Sequence, residues 1–241
     1  MEQEDHTHRR TKFALAVFGI SFCLILLTVA QWMPLVTICV LAAPLRRNYV
    51  VAVVVLMLAM VMVTCFVFCD NCRVKAPMNC VMVLLIFECT TIGFAVLIME
   101  EKIQFFLLNF LIVTIVTLIV IIAATFCTYD MTVDIIALFV VAIILFIGSV
   151  FLVGLFAMIN SKISYYLYTL LGGITIIMFM AYHTQTITGG RYAQMRTKDS
   201  LLGALILYED YILLFMMSYF IIVENFNDMG IRGSSYECQN D

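Results

Sequence analysis

Long apolar runs alternate with short polar connections along the whole chain. Seven runs, Phe13–Met33, Tyr49–Cys69, Met78–Ile98, Phe105–Cys127, Ile135–Ile159, Tyr165–Ile187 and Leu201–Val223, are each close to the roughly 20 residues a helix needs to cross a bilayer. The runs are continuous, so they do not fit membrane β-strands, which carry about 10 residues of alternating pattern. The pattern predicts an all-α polytopic membrane protein with seven transmembrane helices. It divides the chain into a polar tail at 1–12, a seven-helix domain at 13–223 and a second polar tail at 224–241. Trp32 and Pro34 are expected to close the first run, because Trp favours the interface and Pro tends to stop a helix. That run lacks a small-residue cleavage pattern and reads as a spanning helix rather than a removable signal. Glu100-Glu101-Lys102 is expected to end the third run.

Composition agrees with this division. The chain is 64% hydrophobic and 12% charged, whereas a soluble domain is about half apolar and about a quarter charged. The net charge of −3 and the lack of a basic stripe predict a lipid bilayer as partner and no nucleic acid. Most of the nine cysteines sit inside apolar runs, which argues against a disulfide framework. Cys69-Asp70-Asn71-Cys72 has redox spacing, but no thioredoxin-like βαβ pattern surrounds it. Eight of the thirteen Lys and Arg residues fall on the side of the N-terminus, which predicts a cytosolic N-terminus. Seven full crossings would then put the C-terminus on the other face.

Against this background a few polar groups stand out. An ionisable group inside a membrane span is costly and is by default a candidate functional residue. His183 lies about one turn from the end of the sixth run, and Asp210 about two turns into the seventh. The link between the two helices is short, so they are expected to be antiparallel neighbours. If both start level, the two groups differ in depth by only about 6 Å. An imidazole–carboxylate pair would act as a proton-sensitive gate or cation site, or would simply pin two helices together; both readings stand open. Glu209 adjoins Asp210 but points about 100° away, so Asp210 is expected to face inward and Glu209 to snorkel or pair with a neighbour. Glu88, mid-way along the third run, is expected to face the bundle interior as part of a pore or polar network. Gln31, Asn109, Thr114 and Thr117 read as hydrogen-bonding glue, and Gly148, Gly154, Gly172 and Gly173 as points of close helix approach.

Known catalytic patterns are missing: there is no Gly-x-Ser-x-Gly, no His-Glu-x-x-His and no phosphate-binding glycine loop, so the expectation is not an enzyme. The third run is not followed by Asp-Arg-Tyr, and the seventh holds no Asn-Pro-x-x-Tyr, which counts against a seven-helix receptor. A secondary transporter would show broken helices and repeated halves.

The order of several short motifs resembles the Bax inhibitor (transmembrane Bax inhibitor motif) family, most of all its lifeguard branch. Pro77-Met78-Asn79 resembles its Pro-x-Asn, and Glu88-Cys89-Thr90-Thr91-Ile92-Gly93 its Glu-x-x-Thr-x-Gly. Thr128-Tyr129-Asp130-Met131-Thr132 resembles its Lys-Tyr-Asp-Phe-Thr. His183-Thr184-Gln185 with Gly189-Gly190 resembles its Asp-Thr-Gln and Gly-Gly, and Ala204 to Ile212 its Ala-x-x-Leu-Tyr-x-Asp-Ile-Ile. Each motif is weak; their joint order over the membrane region is specific. The resemblance implies a seven-helix fold with a central last helix. It also implies a calcium leak in internal membranes, the endoplasmic reticulum or Golgi rather than the plasma membrane, and a link to suppression of cell death through regulatory membrane proteins. The family gates its pore with two aspartates that share protons, one in each of the last two helices. Asp210 matches the second; His183 stands where the first would be.

That exchange changes the physics. Two carboxylates can share a proton when one raises the other's affinity for it. A histidine and an aspartate instead each favour the other's charged form, while burial opposes both charges. Calcium prefers oxygen ligands, so Asp210 is expected to provide only a weak calcium site. Calcium is expected as a permeant ion, with no cofactor. The function expected is a pH-sensitive calcium leak. The alternative is a non-conducting membrane interaction protein that regulates apoptosis or stress signalling.

Overall fold

The computed structural model describes residues 2–99, 103–190 and 192–228. Glu100, Glu101, Lys102, Arg191 and the tail from residue 229 onward lie outside them. The helices are α1 (Glu2–Thr37), α2 (Cys39–Arg47), α3 (Tyr49–Phe68), α4 (Asp70–Val74), α5 (Met78–Ile98), α6 (Ile103–Phe126), α7 (Ile135–Ile159), α8 (Lys162–Thr188) and α9 (Ser200–Asp228). Seven of them, all but α2 and α4, are long and apolar enough to span a membrane. The chain is an all-α polytopic membrane protein.

Most of the expected boundaries hold to within a few residues, and two departures are informative. Helix α1 starts at Glu2 within the expected polar tail and runs on past Pro34 to Thr37. The turn that follows Pro34 is satisfied locally: the Thr37 hydroxyl donates to Met33 O at 2.8 Å, and Ile38 N donates to Pro34 O at 2.8 Å. Trp32 does not sit at an interface. It is 1% exposed, its indole N–H donates to Thr91 O at 2.9 Å, and its ring packs on Phe215 at 5.5 Å and Phe106 at 6.3 Å. Burial of the ring is possible there because the one polar atom of the indole finds a partner.

Helix α9 is the centre of the bundle. Within its membrane window 56% of the residues are buried, against 17% in α3 and in α7. It touches α1, α5, α6 and α8, while α3 leans on α5 and α7 on α8 at the two outer sides. A buried ladder of Tyr211, Phe215 and Tyr219 runs up α9, with stacked rings 6.5 and 5.9 Å apart.

Glycine does allow close approach, but mostly at other positions than expected. A Cβ on Gly93 would come within 2.9 Å of Leu56 Cβ, so α3 and α5 pack directly across this residue. A Cβ on Gly172 would come within 3.2 Å of the Met217 sulfur, and one on Gly148 would make an ordinary contact with Leu171. Gly154 and Gly173 have nothing within 4 Å of the place a Cβ would take, so they mark no close crossing.

Candidate functional site

Four consecutive residues of α9 between them reach all four neighbouring helices. Tyr208 shares hydrogen bonds with Thr91 of α5 at 2.9 Å and Thr28 of α1 at 3.0 Å. Glu209 accepts from the Thr90 hydroxyl of α5 at 2.9 Å. Asp210 meets His183 of α8, and Tyr211 meets Thr114 of α6 at 3.1 Å. Successive helical residues turn by about 100°, so four polar side chains in a row sweep most of the way round a central helix. An outer helix presenting the same run would expose two of them to lipid.

The His183–Asp210 contact is the one between two titratable groups. His183 Nδ1 lies 2.7 Å from Asp210 Oδ2, and the side chains are 24% and 11% exposed. The contact joins α8, which ends at Thr188, to α9, which begins at Ser200. The imidazole is also held by its ring faces: Phe179 stacks at 6.1 Å, and Tyr182 lies edge-on at 5.6 Å. Asp210 is the inward acid, as expected, and Glu209 pairs with a neighbour. Among the described residues no group of three or more His, Cys, Asp or Glu side chains gathers as a metal site.

Glu88 corrects an expectation. It is exposed on the flank of α5, where its Oε1 accepts from Gln31 Nε2 at 3.0 Å. The inward face of α5 is taken by Val83, Ile86, Phe87, Thr90 and Thr91, which leaves Glu88 outside the interior. It belongs to a polar pair with α1, not to the His183–Asp210 site. Asn109 is glue as expected: its Nδ2 donates to Phe215 O at 3.0 Å and its Oδ1 accepts from Ser218 at 2.7 Å. Thr117 is not. Its buried hydroxyl has no partner among the described residues, and it borders an apolar cavity of about 410 Å³ between Phe18, Ser21, Met180, Leu207 and Tyr211.

Just beyond His183 the chain builds a second feature that sequence reasoning missed. Gln185 clamps the connection after α6: its Nε2 donates to Tyr129 O at 2.9 Å, and its Oε1 accepts from Met131 N at 2.7 Å. Thr132 lies so close to Gly190 that a Cβ there would fall 2.5 Å from its methyl group. These contacts border a crevice of about 390 Å³ whose walls include Asp130, Asp134, Gln185 and Thr188. The Tyr129 hydroxyl donates to Asp134 Oδ2 at 2.8 Å, a bond that raises the phenol above its ordinary pKa.

The same end of the bundle is tied across by charge. Arg10 donates to Thr186 O and Met195 O, linking α1 to the end of α8 and to the loop at 189–199. Buried Asp199, just before α9, lies 3.2 Å from Arg73 Nε and accepts from Arg196 Nε at 3.0 Å. Asp70 pairs with Arg73 and, at 2.8 Å, with Arg196. Nothing in the one-dimensional pattern marks Asp199, because loop charges are ordinary.

No family model, curated protein or solved structure matches the chain.

Proposed function

We propose that this protein is a pH-sensitive calcium leak of internal membranes, linked to suppression of cell death, in which His183 and Asp210 form the gate. The observation that carries the reading is the 2.7 Å contact between these groups across α8 and α9. The pair is a closed-state latch: while the bond stands, the central helix is tied to its neighbour. Each group favours the other's charged form, so the strength of the tie depends on the charges the two carry. The acidic crevice bordered by Asp130 and Asp134, adjoining Gln185 and Thr188 on the same helix as His183, supplies an oxygen-rich mouth suited to a hard cation.

The motif resemblance to the Bax inhibitor family supports the same reading through space. His183-Thr184-Gln185 clamps Tyr129-Asp130-Met131, and the Thr90-Thr91 motif meets Tyr208-Glu209. Motifs far apart in the chain therefore meet at two places, one on α9 and one at the end of α8. The charge asymmetry of the loops favours a cytosolic side for the N-terminus and this crevice.

A second reading, a non-conducting membrane protein that regulates cell death or stress signalling through partners, is favoured by one observation. Trp32, Phe106 and Phe215 fill the middle of the bundle with mutually packed rings. Calcium flux through purified protein in liposomes across pH 5–8 separates the readings. A wild-type leak altered by Asp210→Asn supports the gate. Silence in wild type with a leak in His183→Asp supports the non-conducting reading, and silence in both folded proteins removes the channel reading.

A further inference from the structure

The turn that joins α3 to α5 carries chemistry that the membrane site does not use. Cys69 sits at the start of α4 and Cys72 one turn on, with Cys72 N and Arg73 N both donating to Cys69 O at 3.1 Å. This turn brings the two thiols to an Sγ–Sγ separation of 3.2 Å. A disulfide needs about 2 Å between the sulfurs and side chains that point together, so the pair is close to bonding geometry without a change of fold. Both side chains are half-buried, and both lie outside the spanning helices. They are also chemically unequal. Hydrogen bonding from the Cys72 thiol, then from the backbone of Cys72 and Asn71, lowers the Cys69 pKa below the ordinary thiol value. The same contact raises Cys72. An accessible thiol with favoured thiolate beside a second thiol is the arrangement of an attacking and a resolving cysteine.

We propose that Cys69 and Cys72 are a redox-active dithiol that closes to a disulfide by exchange with small-molecule disulfides of the glutathione class, and that closure reports to the loop at 189–199. In the first step the Cys69 thiolate attacks one sulfur of the small disulfide. A Cys69 mixed disulfide forms and one small thiolate leaves. In the second the Cys72 thiolate attacks Cys69 Sγ, the intramolecular disulfide forms and the second small thiolate leaves. The two protein thiols give up two protons and two electrons, and one small disulfide becomes two small thiols.

The route to the loop is short. Asp70 lies between the two cysteines and Arg73 follows the second, and these are the residues that hold Arg196 and Asp199. Arg73 also donates to Val67 O at 2.9 Å, so the turn is tied to α3 as well. Closing the disulfide stiffens the turn that carries Asp70 and Arg73, and through them it reaches the loop.

The test treats full-length reduced protein with oxidised glutathione, then counts thiols by differential alkylation and mass spectrometry. Wild type should lose the Cys69 and Cys72 thiols together, with no glutathione retained and Cys65 unchanged. Cys72→Ser should instead trap a glutathione adduct on Cys69, and Cys69→Ser should react at least several-fold more slowly. Cys65→Ser should close as wild type does. An unmodified pair in wild type, a stable adduct in wild type, or closure that needs Cys65 would each overturn the assignment. Limited trypsin digestion reads the second part: oxidation should change cleavage after Arg196 and Lys198 by several-fold. Closure without that change would overturn the link to the loop while leaving the dithiol intact.

Discussion

His183 Nδ1 and Asp210 Oδ2 stand 2.7 Å apart, a bonded pair of titratable side chains that joins the last two spanning helices. Both groups are mostly shielded, so the bond is worth most through what happens when half of it is removed. His183→Ala leaves a shielded carboxylate without its partner, a loss on the order of 3 kcal/mol. Asp210→Asn leaves a neutral group that still hydrogen-bonds, and should cost about 1 kcal/mol. Thermal unfolding in detergent should rank His183→Ala clearly below Asp210→Asn. The reverse order would mean that the contact does not tie the helices.

The slope of the pH response distinguishes this pair from two carboxylates. In wild type an imidazole and a carboxylate carry no like charges to repel, so leak should rise less toward the alkaline end of pH 5–8 than it does with two acids. In His183→Asp the two acids are held by a shared proton and repel once it leaves, so leak should rise toward the alkaline end. Equal slopes in the two proteins would remove the gate from His183.

The hydroxyl cluster on the other side of α9 should matter for stability rather than flux. Tyr208→Phe removes the oxygen that meets Thr28 and Thr91, leaving the buried Thr91 hydroxyl only a 3.5 Å contact with Thr28. The expected loss is about 1–2 kcal/mol, read as a lower unfolding midpoint with the pH profile of flux unchanged. A shifted pH profile would connect this cluster to the gate.

Gly93 is the tightest crossing in the membrane region. Adding a methyl group meets the Cβ and backbone Cα of Leu56 at 2.9 and 3.2 Å, so neither side can simply rotate away. Gly93→Ala should destabilise by about 1–3 kcal/mol, and Leu56→Ala, which keeps both atoms, should recover little of that loss in the double variant. Gly154→Ala, with open space around it, should be neutral. A neutral Gly93→Ala would show that α3 is free to move.

Thiol reactivity should follow the two opposite pKa shifts in the α4 turn. Because Cys69 is lowered and Cys72 raised, Cys69 should be alkylated faster. The ratio should be greatest at low pH, where rates follow thiolate fraction, and shrink as pH rises and both ionise. Cys72→Ala, which removes the hydrogen bond, should slow Cys69 at neutral pH. Faster alkylation of Cys72 would reverse the assigned roles.

The sequence by itself determined the seven spans, the all-α class and the two residues most worth testing. It does so because crossing a bilayer is a one-dimensional demand: about 20 apolar residues in a row. A charge within such a row is conspicuous without any knowledge of neighbours, which is why His183 and Asp210 were legible. Which way each helix faces was decided only by the tertiary structure. Lipid is as apolar as a leucine core, so inward and outward faces of a membrane helix look alike in sequence. Glu88 therefore faces out beside Gln31, Trp32 turns into the core instead of marking an interface, and Gly93 rather than Gly154 carries a crossing. The same holds for Arg73 and Asp199, 126 residues from Asp70 to Arg196 in the same network, whose meeting depends on how the loops fold back over one end of the bundle.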